Sequence, residues 1–170
     1  HEKASKIGVF KNELTQISEI TDMALSDAPP SENGWSSSTV EYKPQHGDVV
    51  TVNAFRKFGD PKYLEFYGME LLGGRNLRPT DSLREFVINE TLMTQLGFSK
   101  PEEAIGQFIN YSKRDYPIVG VVKDFHIQSL HNKVEPVIIG NDVDFNCFNL
   151  RLSTANGSDD FKAGIAKIEA

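Results

Sequence analysis

Phe86-Val87-Ile88-Asn89-Glu90-Thr91-Leu92-Met93 runs into Leu96-Gly97, and further on Tyr116-Pro117-Ile118-Val119-Gly120-Val121-Val122-Lys123-Asp124-Phe125-His126 leads to Ser129-Leu130-His131 and Glu135-Pro136. Phe86 to Ile88 is a short apolar run, read as a buried strand. Asn89 suits the N-cap of a helix over 90–96, because its side-chain oxygen can accept from an orphan backbone N–H in the first turn. Gly97 and Gly106 suit left-handed turns, and Ser99, Pro101 and Glu102 open another short helical turn. Residues 107–111 and 116–122 read as strands, with 112–115 as a polar hairpin tip. Gly120 inside an apolar strand predicts a bulge or a close backbone approach.

Outward from this centre, helices and strands interleave irregularly. Ile7, Phe10, Leu14 and Ile17 recur at helical spacing near the start. Residues 20–26, 39–42, 49–58 and 69–72 read as strands, with Gly73-Gly74 breaking the last. Pro29-Pro30 ends the first strand, and 31–38 is an exposed loop carrying Trp35. Asp60-Pro61 opens a short helix with Asp60 as its cap. After Pro136 come a short apolar run, 137–139, and an alternating strand over 145–152 that sets Phe148, Leu150 and Leu152 on one face. A last helix, 159–170, is expected to bury Phe161, Ile165 and Ile168. No βαβα rhythm is sustained, so the pattern predicts an α+β fold with mostly antiparallel pairing rather than a doubly wound sheet.

Composition narrows the function. The chain has 170 residues, 39% of them hydrophobic, and a net charge of −6, which argues against nucleic acid as a partner. Cys147 is the sole cysteine, so no intrachain disulfide forms; its apolar neighbours point to a buried core residue. No apolar stretch reaches the ~20 residues that cross a bilayer. His1 in place of a methionine, and an end inside a predicted helix, lead us to expect a segment of a longer protein.

Motifs that would carry chemistry are missing. Gly73-Gly74 is not followed by the Lys-Ser/Thr pair of a phosphate cradle, no dinucleotide fingerprint occurs, and no serine sits in a nucleophile elbow. His126 and His131 are five apart near Asp124, a spacing that misses the zinc patterns. Neither catalytic residues, a cofactor nor a metal site is therefore expected. Trp35 and the aromatics Phe55, Phe58, Tyr63, Phe66 and Tyr67 could form a binding surface or fill the core. Trp35, in polar surroundings, is the candidate partner-binding residue.

The quoted stretch, with Phe66-Tyr67-Gly68-Met69-Glu70-Leu71-Leu72-Gly73-Gly74-Arg75 and Asp81 upstream of it, resembles the periplasmic core domain of MacB/FtsX-like ABC-transporter permeases. The resemblance covers most of the chain, is specific from Phe86 to Pro136 and carries little from Ala28 to Gly47. It implies a non-catalytic, two-lobed domain on the outer side of the cytoplasmic membrane, between two transmembrane helices. A porter-like split βαβ lobe would come from both chain ends, residues 1–56 and 144–170, with a mixed α/β lobe, 57–143, inserted between them. A cytoplasmic ATPase subunit or domain would power the parent protein, and the domain would couple ATP hydrolysis to export or to mechanical signalling. Further implied partners are a second permease copy and a periplasmic adaptor or exported substrate. A periplasmic ligand-binding or sensor domain is the alternative, and a hydrolase with an unrecognised site a third reading.

Overall fold

All four residues of Phe86–Asn89 are buried, as a strand flanked on both edges and packed on both faces must be. In the computed structural model, which describes residues 2–28, 36–126, 133–142, 145–153 and 158–168, this strand lies near the middle of the chain. The elements are α1 (Glu2–Leu14), β1 (Ile20–Ser26), β2 (Ser37–Tyr42), β3 (Val50–Phe58), α2 (Tyr63–Phe66), β4 (Leu71–Gly74), β5 (Phe86–Asn89), α3 (Glu90–Gln95), α4 (Pro101–Ala104), β6 (Phe108–Tyr111), β7 (Arg114–Val122), β8 (Val137–Gly140), β9 (Cys147–Leu152) and α5 (Ser158–Ile168). They fall into two compact units, Leu25–Cys147 and the chain ends, His1–Ala24 with Phe148–Ala170.

The larger unit holds a seven-stranded sheet in the order β4-β7-β5-β8-β3-β2-β6, and β6 pairs back onto β7. Six strands therefore close into a ring, with β4 attached to β7 beside β6. Closure leaves the ring strands without free edges for stray pairing. Two of the pairings, β3 with β8 and β5 with β7, are parallel. The other five are antiparallel. Every ring strand contributes to one buried cluster, including Val40, Val52, Phe86, Ile88, Ile109, Ile118 and Ile138, which marks it as the interior. Leu92, Met93 and Leu96, from α3 and the residue after it, join that cluster. The alternate residues Val87, Val119, Val137 and Ile139 face outward and are covered by Tyr63 and Leu64 of α2. Period-two side-chain alternation thus feeds two cores from the same short strands.

The sequence alone places a boundary at 57; the structure corrects this. Residue 57 lies inside β3, and β2 and β3 are ring strands because Val40, Val52 and Ala54 point into the interior cluster. Lys57 is itself 3% exposed, paired with Asp27 at 3.2 Å and set 5.9 Å from the Tyr63 ring centre. Lys62, not Asp60, holds the N-cap position of α2, and the Asp60 carbonyl accepts from the Tyr63 N–H.

The hairpin between β6 and β7 is tighter than the sequence suggests. Its turn is Ser112-Lys113 alone, with φ of 52° and 66°. Two left-handed residues match the twist of the flanking strands, a geometry that favours Asn-Gly. Lys113→Gly is expected to raise stability by about 1 kcal/mol in urea denaturation, because the left-handed strain at a side-chain-bearing residue disappears.

In the smaller unit β1 pairs with β9. Thr21 Oγ1 donates to the Arg151 carbonyl at 3.0 Å and Asn149 Nδ2 to the Ala24 carbonyl at 3.0 Å. Asn149 is accordingly only 7% exposed. Phe10 of α1 meets Phe148 edge-on, ring centres 5.0 Å apart. The helix α5 does not bury the face its periodicity suggests: Phe161 and Ile165 are exposed. Gly164 is buried instead, and a Cβ there would lie 3.3 Å from Glu19 Cβ and 3.4 Å from Leu152.

Candidate functional site

Asn89 ends β5 and caps α3 with φ −90° and ψ 168°. Its Oδ1 accepts from the N–H groups of Leu92 (3.2 Å) and Val137 (2.8 Å), and its Nδ2 donates to Asp124 Oδ1 (2.8 Å) and the Glu135 carbonyl (2.9 Å). A side-chain amide has two donors and two acceptor positions, and all four are used. Asp124 also accepts from the Thr91 N–H (3.0 Å) and Thr91 Oγ1 (2.8 Å), while its own N–H donates to Glu90 Oε2 (3.1 Å). One polar network therefore joins the end of β5, the first turn of α3, the exit of β7 and the entry to β8. Satisfied internally, it locks those four segments in register.

A second lock lies where β4 crosses β7. Gly74 has φ 75°, and a Cβ there would stand 2.3 Å from the Val119 carbonyl oxygen and 2.9 Å from Gly120 Cα. A Cβ on Gly120 would stand 2.4 Å from the Arg75 carbonyl oxygen. Glycine on both sides lets the backbones approach, and the Arg75 N–H donates to the Val119 carbonyl at 2.9 Å. Gly73-Gly74 therefore belongs to β4 rather than breaking it. Arg75 then forks onto Glu85, Nη1 to Oε1 at 2.7 Å and Nη2 to Oε2 at 2.6 Å, and Glu85 Oε1 also accepts from the Arg78 N–H.

The bonds from Arg75 hold the Glu85 carboxyl below the usual carboxylate range, against the opposing effect of burial, and Glu85 in turn raises Arg75. A depressed acid stabilises the fold at pH above its unfolded value of about 4.3 and loses that contribution as pH falls through the lower folded value. Glu85→Gln is expected to cost about 1 kcal/mol at pH 7, discounted because Arg75 is 38% exposed. The gap to the wild type should close as chemical denaturation is repeated from pH 5 down to about pH 2.5.

Among the described residues, the candidates singled out by sequence form no polar site, and Phe55, Tyr63 and Tyr67 share one apolar cluster. Trp35 lies outside the described residues, as do His1 and His131. His46 and His126 are exposed, and among the described residues no three His, Cys, Asp or Glu groups gather as metal ligands would. Tyr63 and Phe66 are buried, Tyr63 within the outer core, and Phe55, Phe58 and Tyr67 are half-buried. Cys147 is half-buried rather than fully enclosed. The structure thus brings together positioning groups: Asn89, Thr91 and Asp124 in one place, Gly74, Arg75, Glu85 and Gly120 in another. These are the residues around which the quoted sequence phrases are built.

A family model described as the MacB-like periplasmic core domain matches residues 8–156, the greater part of the chain. The chain belongs to this family.

As a MacB-like periplasmic core domain it is the extracytoplasmic part of an ABC-transporter permease, a context that implies a cytoplasmic ATPase. Solved structures share the fold. The extracellular domain of the noncanonical ABC-type transporter YknZ from Gram-positive bacteria matches with a TM-score of 0.62 at 12% identity, over 92% of this chain and 76% of that one. The periplasmic region of MacB from Actinobacillus actinomycetemcomitans gives 0.62 at 16% identity, over 95% and 71%. A domain of a putative permease from Porphyromonas gingivalis gives 0.62 at 13% identity, over 94% and 73%. No curated protein sequence matches the chain. Among the described residues no helix is long and apolar enough to cross a membrane.

Proposed function

We propose that this MacB-like domain is a non-catalytic transmission module, coupling ATP hydrolysis in the cytoplasm to export or to mechanical signalling outside the membrane. The observation that carries the reading is the insertion topology. One unit is assembled from both chain ends, and the ring of strands, locked by the Asn89–Asp124 network and the Gly74–Gly120 crossing, is threaded between them. A porter-like role for the unit of the chain ends, as a split βαβ lobe, belongs to the same reading. Segments on either side of the chain would pull on that unit, and the cross-braced ring would carry displacement without deforming, because packed cores shift as bodies. The partners in this reading are a second permease copy, through which the displacement becomes a change in spacing, and a periplasmic adaptor or exported substrate.

The test uses the full-length permease with its ATPase in membranes. Cys147→Ser removes the thiol of this domain, any cysteines elsewhere in the permease are replaced likewise, and Ser112→Cys at the exposed hairpin turn carries a spin label. The distance between labels on two copies is expected to shift by several Å between the nucleotide-free and vanadate-trapped states, the amplitude of shear and hinge motions. Identical distributions in both states, or no distance between copies at all, would sink the reading.

A further inference from the structure

The larger unit carries a cleft of about 540 Å³ that neither the motifs nor the family accounts for. Three arginines line it: Arg56 from β3, Arg84 just before β5 and Arg114 at the start of β7. Phe58, Tyr111 and Tyr116 form the aromatic part of its wall, and Asp142 is its one carboxylate. Three guanidiniums against one acid leave the cleft basic in a chain whose net charge is −6.

Among the described residues, none of the three is paired with an acid. The ion pairs among the described residues involve Lys57, Lys62, Arg75, Lys123, Arg151 and Lys167. Arg56 is nevertheless fixed in place. Its Nη1 donates to Tyr111 Oη at 3.1 Å, and its guanidinium lies 5.5 Å from the Phe58 ring centre. Its Nε is buried and has no hydrogen-bond partner. A guanidinium offers five donors, and the bond to Tyr111 leaves terminal N–H groups of Arg56 for a ligand. Tyr111 is in turn steadied by Phe86, ring centres 5.4 Å apart, and Phe86 by Tyr116 at 5.3 Å. Arg56 is thus preset and the aromatic side packed, with Arg84 and Arg114 exposed beside them, a composition that suits a small-molecule site.

We infer that this cleft binds an organic phosphate, with the phosphate on the Arg56, Arg84 and Arg114 guanidiniums and its apolar body against Tyr111 and Tyr116. Arginine suits that group because its planar fork bonds phosphate oxygens in pairs, and two net positive charges match a dianion. A soluble phosphate ester and a phospholipid headgroup share this chemistry. The site stands independently of how the domain is moved.

Phenyl phosphate is the probe, titrated into the 170-residue chain by calorimetry and by NMR. Saturable binding is expected, with the largest shifts at Tyr111, Arg114 and the Arg56 side chain. The double variant Arg84→Gln/Arg114→Gln, both positions exposed, should raise Kd by roughly tenfold or more, and Arg56→Gln should do the same. Arg151→Gln, in the other unit and paired with Asp22, should leave Kd within about twofold. Inorganic phosphate, lacking a body to set against the tyrosines, should bind roughly tenfold more weakly. Sedimentation with phosphatidylcholine vesicles containing phosphatidic acid separates the sources. Vesicle binding that the double variant loses identifies the headgroup; phenyl phosphate binding without vesicle binding identifies a soluble ester. The proposal is overturned if phenyl phosphate shows no saturable binding, if the double variant binds it as the wild type does, or if inorganic phosphate binds equally tightly.

Discussion

Gly74→Ala is expected to destabilise the larger unit by about 2–5 kcal/mol. Two costs add. A side chain at φ 75° carries about 1–2 kcal/mol of left-handed strain. The new methyl would also stand 2.3 Å from the Val119 carbonyl oxygen and 2.9 Å from Gly120 Cα. Both neighbours are backbone, so no rotamer change relieves the overlap, and forcing β4 away from β7 costs a further 1–3 kcal/mol or so. It would also stretch the Arg75 N–H bond to Val119 and misplace the guanidinium fork on Glu85. Gly68→Ala is the control: φ is 63° there, but nothing lies within 4 Å of the added methyl. It should cost only about 1 kcal/mol, the strain alone. Equal shifts in the urea midpoints of the two variants would show that the crossing does not require glycine.

Asn89→Ala is expected to cost about 4 kcal/mol. The residue is fully buried and satisfies the Val137 and Leu92 N–H groups and the Glu135 carbonyl at once. Each buried group left without a partner costs roughly 1–3 kcal/mol, and the lost N-cap contributes about another 1. Thr91→Val removes only the Oγ1 bond to Asp124, whose carboxylate is half-buried and can take a water instead, so about 1 kcal/mol is expected. Amide exchange adds a local readout: the Val137 N–H should lose protection in Asn89→Ala and keep it in Thr91→Val. An Asn89→Ala midpoint indistinguishable from that of Thr91→Val would remove the network from the list of things that hold the ring together.

What could be seen in the sequence was local. Asn89 announces itself as a cap because its partner, Leu92, is three residues away; Asp124, Glu135 and Val137 are 35 to 48 residues away and leave no trace in the pattern. Gly120 was legible as a close approach, since glycine in an apolar strand has few other uses, but not the Arg75 carbonyl that approaches it. Ring closure depends on β6 pairing with β2, a contact between residues 40–42 and 109–111 that no periodicity encodes. Hence a boundary at 57, through the middle of β3, looked reasonable. The periodic Phe161 and Ile165 misled for a different reason: α5 meets its neighbours through Gly164, a residue that hydrophobic patterning does not count. Arg56, Arg84 and Arg114 are scattered over three segments, and only the curl of the strands brings them to one cleft.

The strand β8 pairs with β3 on one side and β5 on the other, yet it is the last of the ring strands to be synthesised. Until residues 137–140 leave the ribosome, β3 and β5 each lack a neighbour, and the nascent polypeptide carries two open apolar edges. The ring is therefore completed by its keystone rather than by a terminal flap, and a product truncated before that point never shuts. Such a fragment is a natural client for chaperones and proteases, since unpaired apolar strands are what aggregation starts from.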